Sequence, residues 1–326
     1  MKKRTESTGS EANKMGRRKF LGNSSAAFLG MGVTGISTLK AMENQPVGMH
    51  SSDHSGLFQE RGFEAMVQKA IQYKKIDAHN HTGNFPDMIE SMDRVGIQWA
   101  AISDLQGKNT PENFRKSNDV VLKAVKQYPG RFLGKCRINP GYTKEALEEI
   151  DRCVDQGMVM LGELYDEYKA NDPVYYPIIE RCIDHKVPIL IHSANILGLW
   201  REGYPKVGSS INTSIADHFV DIGKRYPEAL IICGHIGGGG DWEYVCRVLR
   251  NAPTVYLDTS GSVSDEGMID MAVEHLGVDR LLFATDVNYE TGVGKIMSAN
   301  LTEKERKKIF FENFNNLLKP AGNHVN

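Results

Sequence analysis

Five apolar runs recur along this chain, and each stops on a side chain able to bind a metal or move a proton. They are Ile76-Asp77-Ala78-His79-Asn80-His81, Met158-Val159-Met160-Leu161-Gly162-Glu163, Val187-Pro188-Ile189-Leu190-Ile191-His192, Ala229-Leu230-Ile231-Ile232-Cys233-Gly234-His235 and Arg280-Leu281-Leu282-Phe283-Ala284-Thr285-Asp286. Continuous apolar runs of this length, separated by helix-like stretches, mark parallel strands covered on both faces. Such strands belong to an alternating β/α architecture. In the first run, a side-chain period of two puts His79 and His81 on one face while Asn80 points away. Two imidazoles so placed can grip one metal ion, although a solvated His-x-His turn would read the same in isolation.

The rest of the chain completes the alternation. Helices are expected over 63–73, 86–94, 111–127, 144–156, 173–184, 214–225, 241–249, 267–276 and 303–318, with Pro111 and Pro173 suited to first helical turns. Further strands are expected over 99–103, 131–138 and 254–258. Eight strands with intervening helices predict a (β/α)8 TIM barrel over residues 56–326, its chemistry at the C-terminal ends of the strands. At 326 residues, 40% hydrophobic and 25% charged, the chain has the length and composition for one such core.

Residues 1–41 stand apart from this pattern. Gly16-Arg17-Arg18-Lys19-Phe20-Leu21-Gly22 leads into a weakly apolar Gly/Ser/Ala stretch, which resembles a twin-arginine export signal. Asn23, Ser24 and Ser25 interrupt that stretch, so stable membrane insertion is not expected. Residues 42–55 read as a polar linker, and the expected location is periplasmic or extracellular. Eight basic and three acidic residues in 1–45, a net of +5, leave about −7 for the remainder of a chain whose formal charge is −2. A domain so acidic lacks the broad positive field that attracts nucleic acid. Cys136, Cys153, Cys182, Cys233 and Cys246 are odd in number and lack CxxC spacing, and they read as buried thiols.

Six segments in order, Asp77-Ala78-His79-Asn80-His81, Pro188-Ile189-Leu190-Ile191-His192, Gly234-His235-Ile236-Gly237-Gly238, Asp258-Thr259-Ser260-Gly261, Ala284-Thr285-Asp286 and Glu312-Asn313-Phe314, carry a resemblance to a known family. Over about residues 74–318 the chain resembles the amidohydrolase superfamily, in particular its amidohydrolase-related (amidohydrolase 2) branch. The resemblance implies a metal held by His79, His81, His192 and Asp286, with His235 beside it as an acid/base or carbonyl-polarising group. Glu163 departs from the one-metal pattern. Dinuclear members place a bridging carboxylate on this strand, and TatD-type hydrolases carry a Gly-Glu there, so one ion or two stay open. Glu163 can equally be a buried acid paired with Arg137.

Imidazoles and a carboxylate suit Zn2+ first, with Mn2+, Co2+ or Ni2+ tolerated. A bound metal makes hydroxide available at neutral pH; Asp286 could take its proton, and His235 could hydrogen-bond a developing oxyanion. The expected activity is therefore hydrolysis of an ester, lactone or amide bond in a small molecule. A metal-dependent decarboxylase on the same barrel is the first alternative, followed by a TatD-like nuclease or a non-catalytic metal- or ligand-binding barrel. Trp200, Arg201 and Tyr204 follow the His192 strand, and Tyr165 and Tyr289 also follow strand ends. Substrate contact and ordinary loop packing both account for them, with Arg201 suited to a carboxylate. Association into a homo-oligomer is compatible with the sequence.

Overall fold

A computed structural model describes residues 60–195 and 212–326. Eight parallel strands run in sequence order around the sheet: β1 (Ile76–His81), β2 (Trp99–Ser103), β3 (Phe132–Cys136), β4 (Met160–Leu164), β5 (Ile189–Ile191), β6 (Ile231–Cys233), β7 (Tyr256–Asp258) and β8 (Leu281–Leu282). The seam between last and first strands is bridged where Ala78 N–H donates to the Phe283 carbonyl at 2.9 Å and Asp286 N–H to the His79 carbonyl at 2.8 Å. The result is the nearly closed TIM barrel that the alternating pattern predicts.

Helices α1 (Glu60–Gln72), α2 (Phe85–Arg94), α3 (Pro111–Gln127), α4 (Thr143–Asp155), α5 (Tyr176–His185), α6 (Ala216–Arg225), α7 (Trp242–Leu249) and α8 (Met268–Leu276) alternate with the strands. They cover the outer face of the sheet with apolar side chains such as Met92, Val121, Ile150, Ile179, Phe219 and Val245. A second, smaller cluster includes Ile76, Ala78, Met160, Leu190, Ile232 and Leu282, together with Phe314, Leu317 and Leu318 of the late helix α11 (Asn313–Leu318). All five cysteines are buried and free. Among the described residues, no helix is long and apolar enough to cross a membrane.

Three local features depart from the expected elements. Helix α9 (Tyr289–Ser298), containing Gly292 and Gly294, was not expected between β8 and the final helix. The final helix is not continuous: α10 (Glu303–Lys307) and α11 flank a π-helical segment at Lys308–Glu312, where the Ile309 carbonyl accepts the Phe283 N–H at 3.1 Å. A short 3-10 turn at Pro173–Tyr175 precedes α5. Residues 1–41, read as an export signal, and 42–55, read as a linker, lie outside the described residues.

Two irregularities in the strands aim the site. β1 pairs Asp77 with Ala100 but Asn80 with Ile102, so β1 carries one residue more than β2 across that step. Ile76 and Ala78 belong to the smaller apolar cluster, and plain alternation would turn His79 to the opposite face; the bulge returns His79 and His81 to the site. β4 repeats the device, pairing Leu161 with Ile189 but Leu164 with Ile191. Met160 therefore packs inward and Leu161 and Leu164 outward, while Glu163 turns to the inside. Gly162, at φ 112°, makes this possible, because a Cβ there would collide with the Leu190 carbonyl.

Candidate metal centre and active site

Glu163 is the hub of the strand-end cluster. Its Oε1 lies 2.7 Å from His192 Nδ1 and 3.0 Å from His235 Nε2, and those two nitrogens are 3.0 Å from each other. Its Oε2 lies 3.2 Å from both His79 Nε2 and His81 Nε2. His81 Nε2 is also 3.3 Å from Asp286 Oδ1, and His235 Nδ1 is 3.9 Å from Asp286 Oδ2. The strand ends thus bring together His79, His81, His192, His235, Glu163 and Asp286.

The alternative pairing of Glu163 with Arg137 is not what forms. The Arg137 guanidinium donates to the Asp104, Gln106 and Gly107 carbonyls at 3.3, 2.7 and 3.0 Å and to Ser117 Oγ at 3.3 Å. Backbone carbonyls of the loop after β2 have claimed it, which leaves Glu163 to the histidines.

Other side chains orient the imidazoles. Asp258 Oδ2 lies 2.8 Å from His79 Nδ1, and Asp258 Oδ1 accepts the His235 N–H at 3.0 Å. Ser260 Oγ donates to Asp258 Oδ1 at 2.5 Å and lies 2.8 Å from His235 Nδ1. Ser103 Oγ is 3.3 Å from His81 Nδ1. Each contact leaves the opposite ring nitrogen facing the cluster, as outer partners of metal-bound histidines do. Asp77 ties the seam beneath, accepting the Thr285 N–H at 2.9 Å and its hydroxyl at 2.6 Å. His235 and Asp286 adopt positive φ of 65° and 47°, a strained backbone for non-glycine residues that clusters at functional sites.

The electrostatics describe a cluster short of a cation. Burial opposes ionisation of Glu163, yet the His79 charge and the hydrogen bonds from His192 and His235 hold it well below the usual carboxylate range. Asp286 is treated likewise: burial is outweighed by its His81 hydrogen bond and the imidazole charges, leaving it at about 2. His79 would be lowered by burial, but the charge of Glu163 and the Asp258 contact raise it to about 10. The raised His79 pKa marks the positive charge that these carboxylates demand.

A divalent ion fits that demand. His79 Nε2 is buried, and despite its 3.2 Å approach to Glu163 it has no hydrogen-bond geometry to any partner among the described residues. Its Nδ1 is engaged by Asp258, so the lone pair available to a cation sits on Nε2. Three overlapping trios, His79–His81–Asp286, Glu163–His192–His235 and His79–His235–Asp258, each place their candidate ligand atoms within 4.8 Å of one another. The donor set of imidazole and carboxylate suits first-row divalent metals.

The cluster opens into a cavity of about 540 Å3, within the range of small-molecule sites, whose wall includes Tyr165, Asn109, Arg137 and Glu167. Tyr165 stacks over His192 with ring centroids 4.1 Å apart. Tyr289 does not share this position; it is buried at the start of α9 and is not part of the wall. Trp200, Arg201 and Tyr204 lie outside the described residues. Sequence reasoning assigned no role to Asp258, Ser260, Ser103, Asn109 or Glu167. Glu167 lies in the turn after β4, where strand periodicity gives no signal for it.

The γ-resorcylate decarboxylase of Polaromonas sp. is 26% identical over 296 residues, covering 76% of this chain and 87% of that protein. A 2,6-dihydroxybenzoate decarboxylase from Rhizobium superposes with a TM-score of 0.59 at 20% identity, covering 77% of this chain and 99% of that one. A dihydroxybenzoic acid decarboxylase from Polaromonas sp., solved with manganese and the inhibitor 2-nitroresorcinol, superposes at 0.58 with 21% identity over 76% and 96% of the two chains. These relatives are carboxy-lyases, so they correct the expectation of an ester, lactone or amide hydrolase, whose donor set is the same but whose broken bond is different. The expectation of zinc is likewise narrowed to a divalent-metal site. The amidohydrolase family model matches residues 76–313, and the chain belongs to the amidohydrolase family.

Proposed function

We propose that this protein is a divalent-metal-dependent decarboxylase that releases carbon dioxide from an aromatic or unsaturated small-molecule acid. The decarboxylases among the relatives carry this reading, and the cluster offers it a proton carrier in Asp286. It is the one carboxylate of the cluster with an open face, 30% exposed and on the cavity wall, while Glu163 and Asp258 are 2% and 0% exposed.

His79, His81, His192 and Asp286 would hold the ion, with Mn2+ favoured over Zn2+ by the manganese in a structural relative. When bound, it supplies a Lewis acid that polarises substrate oxygens. The chain's own residues do the rest. Tyr165 offers a ring against which a planar substrate packs. Asp286, ionised at rest, would relay a proton from solvent to the carbon that bears the carboxylate, holding it only in passing. The bond to the carboxyl carbon breaks, its electron pair remains on the ring carbon to form the new C–H bond, and carbon dioxide departs. The anion left behind is favoured by the cation that Asp286 would help to hold.

The test is to load purified protein with Mn2+ or Zn2+ and measure carbon dioxide release from a panel of aromatic and unsaturated acids. Release should vanish on chelation and return on adding metal. No release from any acid, in either metal form, rejects the reading. Export of the folded enzyme through residues 1–41 is part of the same proposal, to be checked by cell fractionation.

A further inference from the structure

The cavity wall carries two hydrogen-bond acceptors that nothing among the described residues satisfies. Asn109 Nδ2 donates to the Ile138 carbonyl at 3.0 Å and to Glu167 Oε1 at 2.7 Å. The Asn109 carbonyl in turn accepts from Asn139 Nδ2 at 2.9 Å, so the residue is pinned through both its backbone and its side chain. Both partners of the amide nitrogen are acceptors, which fixes the amide orientation and leaves Oδ1 on the other side. Asn109 Oδ1 and Glu167 Oε2 are shielded from bulk water and have no hydrogen-bond partner among the described residues. Two buried acceptors, one of them on a carboxylate, are a costly arrangement unless a donor arrives.

Resting on the decarboxylase reading, we infer that Glu167 and Asn109 form a donor-binding subsite, selecting acids that carry an amino or hydroxyl group on the ring edge away from the metal. Glu167 stands four residues beyond Glu163, in the turn that follows β4, and both line the cavity. A substrate whose carboxylate end meets the metal cluster therefore presents a different edge to Glu167. An N–H or O–H on that edge satisfies the stranded oxygens. A methoxy group, which has no proton to give, leaves them unpaired, and a second carboxylate meets the charge of Glu167. Specificity here comes from a buried polar pair that a ligand lacking the donor cannot satisfy.

The experiment is calorimetric titration of Mn2+-loaded protein with benzoates carrying an amino, hydroxyl, methoxy or second carboxyl group at the meta or para position. Wild type should bind the better of the amino and hydroxyl ligands at least tenfold more tightly than the methoxy ligand, and the dicarboxylate more weakly still. The two donor arms tell amine from hydroxyl. In Glu167→Gln, Asn109 Nδ2 draws the new amide oxygen to itself and leaves an NH2 where Oε2 stood. The acceptor becomes a donor, and the tenfold preference should fall below threefold. If that variant lacks a cooperative thermal transition, Asn109→Ser takes its place with the same expectation. An unchanged preference in the folded variant, a wild type that favours methoxy, or no binding by any member overturns the subsite. Carbon dioxide release is scored separately. Turnover with an unchanged preference sinks the subsite alone, while the stated preference without turnover of any acid sinks the decarboxylase reading alone.

Discussion

Asp258 holds His79 by the ring nitrogen that faces away from the cluster, with Oδ2 2.8 Å from Nδ1. The other oxygen of the same carboxylate accepts the backbone N–H groups of His235 and Ser260 at 3.0 and 2.9 Å. One side chain at the end of β7 thus sets a candidate ligand on β1 and the course of the chain after β6.

Asp258→Asn should weaken metal binding about 10–100-fold, because the amide cannot reproduce the charge that fixes the His79 tautomer. Competitive titration with a chelating dye measures this. Affinity within threefold of wild type would show that the contact is packing alone.

Asp286→Asn should cut carbon dioxide release by about 10^2–10^4-fold, the usual worth of a positioned proton donor. The variant should keep its circular dichroism spectrum. Retained turnover would assign the proton to another group.

Lys135 lies in the barrel wall on β3, fully buried, and its Nζ has no hydrogen-bond partner among the described residues. Burial outweighs the attraction of Glu163, Asp77, Asp258 and Asp286 and lowers it from 10.5 to about 8. For a base with a depressed pKa the sign is destabilising: the penalty is full below pH 8 and fades as pH rises toward 10.5, where the unfolded chain also loses the proton. The penalty is roughly 3 kcal/mol at 1.36 kcal/mol per pKa unit. Lys135→Met should therefore raise the Tm of metal-free protein at pH 7, with a gain that shrinks between pH 8 and pH 10. A lower Tm at pH 7 would mean that its charge is needed by the surrounding carboxylates.

Tyr165→Ala should raise KM about tenfold and change kcat less, since its ring forms part of the cavity wall and holds His192 from one side. Steady-state kinetics separate the two. An equal fall in kcat with KM constant would instead place Tyr165 in the proton transfer.

The barrel was legible because its strands are buried on both faces and so appear as unbroken apolar runs, as in Ile189–Ile191 and Ile231–Cys233. What the runs do not encode is a bulge. Period-two reasoning put His79 and His81 on one face, but which face depends on the extra residue in β1, a property of pairing with β2 rather than of β1 itself. Helix α9 was hidden by Gly292 and Gly294, weak helix formers; a Cβ at Gly292 would press on Thr285. Glu163 was weighed against a partner, Arg137, that the carbonyls of 104, 106 and 107 had already occupied. The bond broken was misjudged for a different reason: hydrolysis and decarboxylation ask for the same ligands, and the difference lies in the substrate.

The first and last strands meet where the Asp286 amide reaches the His79 carbonyl, so the cation site straddles the two ends of the barrel sequence. His79 emerges early in synthesis, and the carboxylate that completes the set arrives only with β8. An ion held by both His79 and Asp286 would act as a rivet across that join, so that parting the strands would first have to dislodge it.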